Sequence, residues 1–161
     1  MASVYDRSDI YDLFDSPKKD DMTKAHWEAV LSGLSVRTAL DVSIGTGSLT
    51  LPLAALGVSL YGSDLSETML ARCREKAAER SLSVDLRQSD FRALTAHFDR
   101  TFDCVMSTGN SLAYGRSVII GFQKTQIYQR FAGSRQEVFI LKFQNDKNNA
   151  AQQDNGWRFH I

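Results

Sequence analysis

Proline is nearly missing from this chain: Pro17 and Pro52 are the only two in 161 residues. No proline-containing turn is therefore available anywhere after Pro52. Cysteine is equally scarce. Cys73 and Cys104 show no paired spacing, which argues against a disulfide framework or a Cys-rich zinc site and for reduced thiols in a cytoplasmic protein. The three histidines, His26, His97 and His160, lie far apart and match no metal-ligand spacing. No apolar run approaches the roughly 18 residues of a membrane span. The first fifteen residues are acidic and lack the apolar core of a signal peptide. Neither sign of charge dominates, with 19 basic and 19 acidic residues. Nothing electrostatic points to nucleic acid or an anionic membrane as a partner.

What is present is an alternation of short apolar runs and amphipathic stretches. Residues 5–17 interleave Tyr5, Ile10, Tyr11, Leu13 and Phe14 with polar residues, as a short helix ending before Pro17 would. Residues 20–34 repeat apolar side chains at three- and four-residue spacing and predict a helix. Thr38 to Val42 reads as a strand that runs into a turn holding Gly45 and Gly47. A helix over 49–56 tolerates Pro52 in its first turn. A second strand spans 58–61. A helix over 66–80 has Ser66 as N-cap and Met69, Leu70 and Cys73 on its buried side. Further strands fall at 83–87 and 102–107. This order predicts an α/β fold, an open parallel sheet with helices on both faces.

The composition shifts after Tyr114. The first 114 residues hold one Gln and one Asn, whereas the last 47 hold seven Gln and four Asn. Glu137 to Phe143 reads as a strand. Residues 144–155 read as a disordered polar tail.

Four segments carry candidate chemistry. Asp41, Val42, Ser43, Ile44, Gly45, Thr46, Gly47 and Ser48 form a strand-to-helix turn whose glycines let backbone approach a ligand. Asp64 ends the second strand, 17 residues beyond Gly47, and a carboxylate there can accept both hydroxyls of a ribose diol. Its plainer reading is a cap for the helix at 66. Asp90 and Phe91 follow the third strand, where a carboxylate and a ring can hold an adenine. The fourth strand opens into Thr108, Gly109, Asn110, Ser111, Leu112, Ala113 and Tyr114. Such strand C-termini are where open α/β sheets bind ligands. Asp103 is better explained as a surface residue at the strand start than as a catalytic one.

In this order and spacing the segments resemble class I S-adenosylmethionine-dependent methyltransferases. The loop after Thr108 resembles that of the small-molecule branch that includes glycine N-methyltransferase-type enzymes. The resemblance covers residues 38–114. It implies that Asp64 and Leu65 flank the ribose, Asp90 and Phe91 the adenine, and Asp41, Ser43, Gly45, Gly47 and Thr108 the methionine end. Tyr11 would close over the cofactor from the leader, and Asn110 or Tyr114 would lie at the methyl acceptor. The implied function is methyl transfer to a small molecule, with no metal.

The chain would then divide into a helical leader or lid at 1–36, a cofactor-binding core at 37–114, an atypical helix plus strand at 115–143 and the tail at 144–161. Two departures from the family's D-x-G-x-G-x-G turn stand out. Ser43 replaces the first glycine, and Ile44 is large enough to crowd the methionine end. The family continues with a helix, a Pro-Gly-Gly turn, a fifth strand and an antiparallel hairpin of strands six and seven. Here no Pro-Gly-Gly occurs, and about 18 residues follow Phe143, too few for that hairpin. If Glu137 to Phe143 is strand five, residues 116–132 would supply the helix before it. An alternative is therefore a truncated or non-catalytic S-adenosylmethionine-binding module. Its uncovered sheet edge would invite pairing into a homodimer.

Other classes fit less well. A nicotinamide dehydrogenase needs Gly or Ala where this chain has Thr50. The DNA amino-methyltransferase loop needs two prolines after the fourth strand. Metal-dependent catechol-type enzymes need carboxylates that residues 104–114 lack.

Overall fold

The computed structural model describes residues 7–13, 15–108, 125–129, 138–143 and 159–160. Four parallel strands form its centre: β1 (Thr38–Asp41), β2 (Ser59–Asp64), β3 (Val84–Gln88) and β5 (Cys104–Thr108). The full sheet has six strands in the order β3-β2-β1-β5-β7-β6, with β6 at Thr125–Gln129 and β7 at Val138–Phe143. A separate two-stranded pair joins β4 (Thr101–Phe102) to β8 (Phe159–His160). The architecture is Rossmann-like α/β.

Strand alternation explains why both sheet faces are covered. Ala39, Cys104 and Met106 join one apolar cluster, while Leu40, Val42 and Val105 join another. Successive strand residues point to opposite faces, so one short strand feeds two cores. The first cluster receives Trp27 and Val30 from α2 (Pro17–Leu31), Leu51 and Leu53 from α3 (Leu51–Ala54), and Leu70, Cys73 and Ala77 from α4 (Glu67–Glu79). The second is closed by Leu94 from a 3-10 turn at Phe91–Ala96, with Phe98 and Phe102. Among the described residues the long helices thus sit on one face and a 3-10 turn and aromatics cover the other.

Several local readings are corrected. Pro17 does not merely end the leader helix. It is the first residue of α2, whose N-cap Ser16 accepts the Lys19 N–H. Its missing N–H is no loss at that position. Before α2, the described part of the leader holds one helical turn, α1 (Ser8–Tyr11).

The larger correction lies beyond β5. The helix expected across 116–132 is not what its described part forms, because Thr125–Gln129 is a strand. β7 runs antiparallel to both β5 and β6, so the sheet is mixed and not purely parallel. The physical reason is connection length. Eight residues separate β6 from β7, enough for a hairpin, whereas a parallel crossover needs a dozen or more. The hairpin for which no room remains after Phe143 is built one element earlier, from β6 and β7 themselves. In the expected tail, Phe159–His160 pairs with β4.

Candidate functional site

The strand order reverses at β1. From it the chain steps outward through β2 to β3 on one side, while β5 lies on the other. The topological switch point, where open α/β sheets bind ligands, therefore lies at the C-terminal ends of β1 and β5. The glycine turn is pinned across it. The Val42 N–H donates to Met106 O (2.9 Å) and the Ile44 N–H to Ser63 O (3.0 Å), so turn residues two apart are tied to opposite neighbours.

Asp41 lies beneath this turn and is fully buried. One carboxylate oxygen accepts the Ser43 N–H (3.0 Å) and the other the Thr108 hydroxyl (2.7 Å). Burial pushes its pKa up from 3.8 to about 6, against the opposing pull of those hydrogen bonds. Asp41 thus joins the turn to the end of β5 from within. Ser43, standing where the family has glycine, bonds the Ser107 hydroxyl (2.6 Å) and the Thr108 carbonyl (3.2 Å).

Gly45 and Gly47 both occupy the left-handed region, at φ +56° and +75°. Their surroundings differ. A Cβ on Gly45 would meet open space among the described residues, while one on Gly47 would lie 2.7 Å from both Cys73 Sγ and Leu51 Cγ. Gly45 leaves backbone exposed to a ligand, and Gly47 lets the turn settle on α4.

Ile44 does not crowd the site. Its side chain belongs to the apolar core and fills the space above Gly62, where an added Cβ would lie 2.5 Å from Ile44 Cδ1.

Asp64 bridges two backbone elements. Oδ2 accepts the Gly45 N–H (2.9 Å) and Oδ1 the Ser66 N–H (3.0 Å). Ser66 in turn caps α4 through the Met69 N–H. The capping and ligand readings of Asp64 are therefore compatible. Two of its four lone-pair directions serve the fold, and a half-buried carboxylate keeps acceptor capacity for a diol. The segment bearing Asp90 is drawn alongside: the Ser89 N–H donates to Asp64 O (3.0 Å) and the Gln88 side chain to Leu65 O (2.9 Å).

The structure thus gathers Asp41, Ser43, Gly45, Gly47, Asp64, Leu65, Asp90 and Thr108 along one edge of the sheet. Tyr11 and Leu65 are exposed, at 43% and 64%. Asn110 and Tyr114 lie outside the described residues, as does the Phe91 side chain. Asp103 sits at the opposite, N-terminal end, where Oδ2 accepts the N–H groups of Arg37 and Thr38. Among the described residues, no group of three or more His, Cys, Asp or Glu is placed to hold a metal. No helix among them is long and apolar enough to cross a membrane.

A second polar cluster, not visible in the motif spacing, lies against the turn. Lys76 of α4 is only 2% exposed, and its ammonium reaches Asp12, Asp15 and Ser48. The signal was in the sequence, since Lys76 falls on the same helical face as Met69, Cys73 and Ala77.

Residues 39–119 match the family model described as a methyltransferase domain. The chain belongs to that family. Its class I members use S-adenosylmethionine. The cypemycin N-terminal methyltransferase of a Streptomyces species is 35% identical over 111 residues, covering 68% of this chain and 44% of that protein. The phosphatidylethanolamine N-methyltransferase of Cereibacter sphaeroides is 40% identical over 109 residues, covering 66% of this chain and 52% of that one. The chain therefore spans about half the length of the curated relatives it matches. The solved PH0226 protein of Pyrococcus horikoshii covers 81% of this chain and 93% of its own, with 13% identity and a TM-score of 0.54, a likeness of fold alone.

Proposed function

We propose that this methyltransferase-family chain binds S-adenosylmethionine along the C-terminal edge of β1, β2, β3 and β5, and transfers its methyl group to a small molecule. One observation carries the cofactor site. The Asp64 carboxylate accepts the Gly45 N–H while Gly45 itself faces open space among the described residues. A polar anchor and a stretch of approachable backbone are thus held as one unit.

In this reading Asp64 receives the ribose hydroxyls and Asp90 the adenine amino group. The methionine end passes Gly45 and the rim formed by Ser43 and Thr108. When bound, S-adenosylmethionine supplies an activated methyl on a sulfonium. The protein's work is orientation and exclusion of water. Asp41 contributes by fixing Ser43 relative to Thr108. In this reading Tyr11 closes over the cofactor from the leader. Asn110 and Tyr114 are assigned to the acceptor side, with Tyr114 as the candidate general base for an amine or hydroxyl. A small-molecule acceptor is suggested by the names of relatives, a phosphatidylethanolamine N-methyltransferase and a cypemycin N-terminal methyltransferase.

A second reading, cofactor binding without turnover, is favoured by the antiparallel β6–β7 hairpin beside β5, where the family places a parallel fifth strand. Incubation with S-adenosylmethionine and panels of amines, hydroxyls and carboxylates, scored by S-adenosylhomocysteine release, separates the two. Turnover with one acceptor supports the enzyme. Binding without turnover on any panel supports the module, and no binding refutes both.

A further inference from the structure

The leader is held in a way that apolar packing does not explain. None of the residues of α1 is buried, and Ile10, Tyr11 and Leu13 are 47%, 43% and 72% exposed. A single helical turn has no stability of its own. What fixes it is charge. Asp12 Oδ1 accepts from Lys76 Nζ (2.9 Å) and Oδ2 from Arg72 Nε (2.6 Å). Asp15 Oδ1 accepts from Lys19 Nζ (2.7 Å), and Oδ2 is shared by Lys76 Nζ and the Ser48 hydroxyl (2.8 Å). Lys76 Nζ also bonds Ser48 Oγ at 2.6 Å and touches Thr46 Oγ1 at 3.4 Å. Thr46 and Ser48 bond each other at 2.9 Å and alternate with Gly45 and Gly47 along the turn.

One buried ammonium therefore joins three elements: the leader, α4 and the glycine turn. It is the only buried cation among the described residues. Burying a lysine is costly unless it is paired and hydrogen-bonded. Here it has two carboxylates and two hydroxyls. A solvated lysine at this position would leave the leader held by Arg72 on Asp12 and the Ser48 hydroxyl on Asp15.

We propose that Lys76 is a positioning residue for the cofactor site: it latches the leader onto the glycine turn, so that leader docking and S-adenosylmethionine binding are thermodynamically coupled. The inference rests on the cofactor reading given above. Coupling is reciprocal. A bound cofactor protects the leader from opening, and a latched leader raises cofactor affinity.

The test uses the full chain and two substitutions. Lys76→Met keeps the stem and removes the charge, while Asp12 keeps Arg72 and Asp15 keeps Lys19, so neither carboxylate is left bare. Ser48→Ala removes only the hydroxyl between the latch and the turn. Calorimetric titration with S-adenosylhomocysteine is expected to show about tenfold weaker binding for Lys76→Met and about fivefold for Ser48→Ala. Hydrogen exchange is expected to show faster exchange at residues 8–13 in Lys76→Met, with the strands unchanged. Wild-type affinity in a folded Lys76→Met variant overturns the proposal, as does unchanged leader exchange. A wild-type chain that binds no S-adenosylhomocysteine removes the cofactor reading itself and the coupling with it, and leader exchange then still reports whether the latch exists.

Discussion

Asp41→Asn is expected to stabilise the protein above pH 6 and to do nothing of the kind near pH 4. Burial dominates at this carboxyl and pushes its pKa up from 3.8 to about 6. The folded state therefore holds this proton more tightly than the unfolded chain does. Below the unfolded value both states carry it and there is no penalty. Between 3.8 and about 6 the unfolded chain ionises first, and above 6 the full penalty applies. A difference of roughly two pH units corresponds to about 3 kcal/mol. Asparagine removes the charge but keeps one acceptor oxygen, and the Thr108 hydroxyl can turn to accept from its amide. One imperfect hydrogen bond costs about 1 kcal/mol. The net gain at about pH 7.5 is then on the order of 2 kcal/mol, a shift of about 1 M in the urea midpoint. Urea unfolding of both proteins at about pH 7.5 and about pH 4 measures it. Equal destabilisation at both pH values would refute the reasoning. It would mean that the bonds to Ser43 and Thr108 offset burial, so that ionising the carboxyl carries no penalty in the fold.

The two turn glycines are expected to respond unequally to alanine. Gly45→Ala meets only the left-handed backbone, about 1 kcal/mol, while Gly47→Ala adds a clash with Cys73 and Leu51 worth about 1–3 kcal/mol more. Chemical unfolding checks this, and equal losses would contradict it. Both thiols are buried, and burial pushes them up to about 12. Native protein is therefore expected to resist a disulfide reagent at about pH 8, with both cysteines reacting only after unfolding. Fast labelling of the native chain would show that Cys73 or Cys104 is reached by local opening.

In the parallel half of the sheet, β1 and β2 were legible because short apolar runs end there at Asp41 and Asp64. Asp64 was legible for the same reason: it is the last residue of β2, where periodicity stops and a helix cap begins. Three features were not. Ile44 was read as an obstacle because its direction depends on the bare Gly62 beneath it, which lies in another strand. Lys76 was passed over because a lysine in a helix is ordinarily solvated, and its carboxylate partners are more than 60 positions away in sequence. The β6–β7 hairpin was missed because a resemblance to a parallel strand outweighed the local pattern. Thr125, Ile127 and Tyr128 are β-branched or aromatic, and that signal was present.

Calorimetric titration of the wild type and Asp64→Ala with S-adenosylmethionine, and of the wild type with NADH, tests the central claim most directly. The wild type is expected to bind S-adenosylmethionine, and to bind NADH more weakly. Asp64→Ala removes the proposed acceptor for the ribose hydroxyls and frees the Gly45 N–H, so its affinity is expected to fall at least about tenfold. An unchanged affinity in Asp64→Ala, tighter binding of NADH, or no binding of S-adenosylmethionine by the wild type would contradict the account.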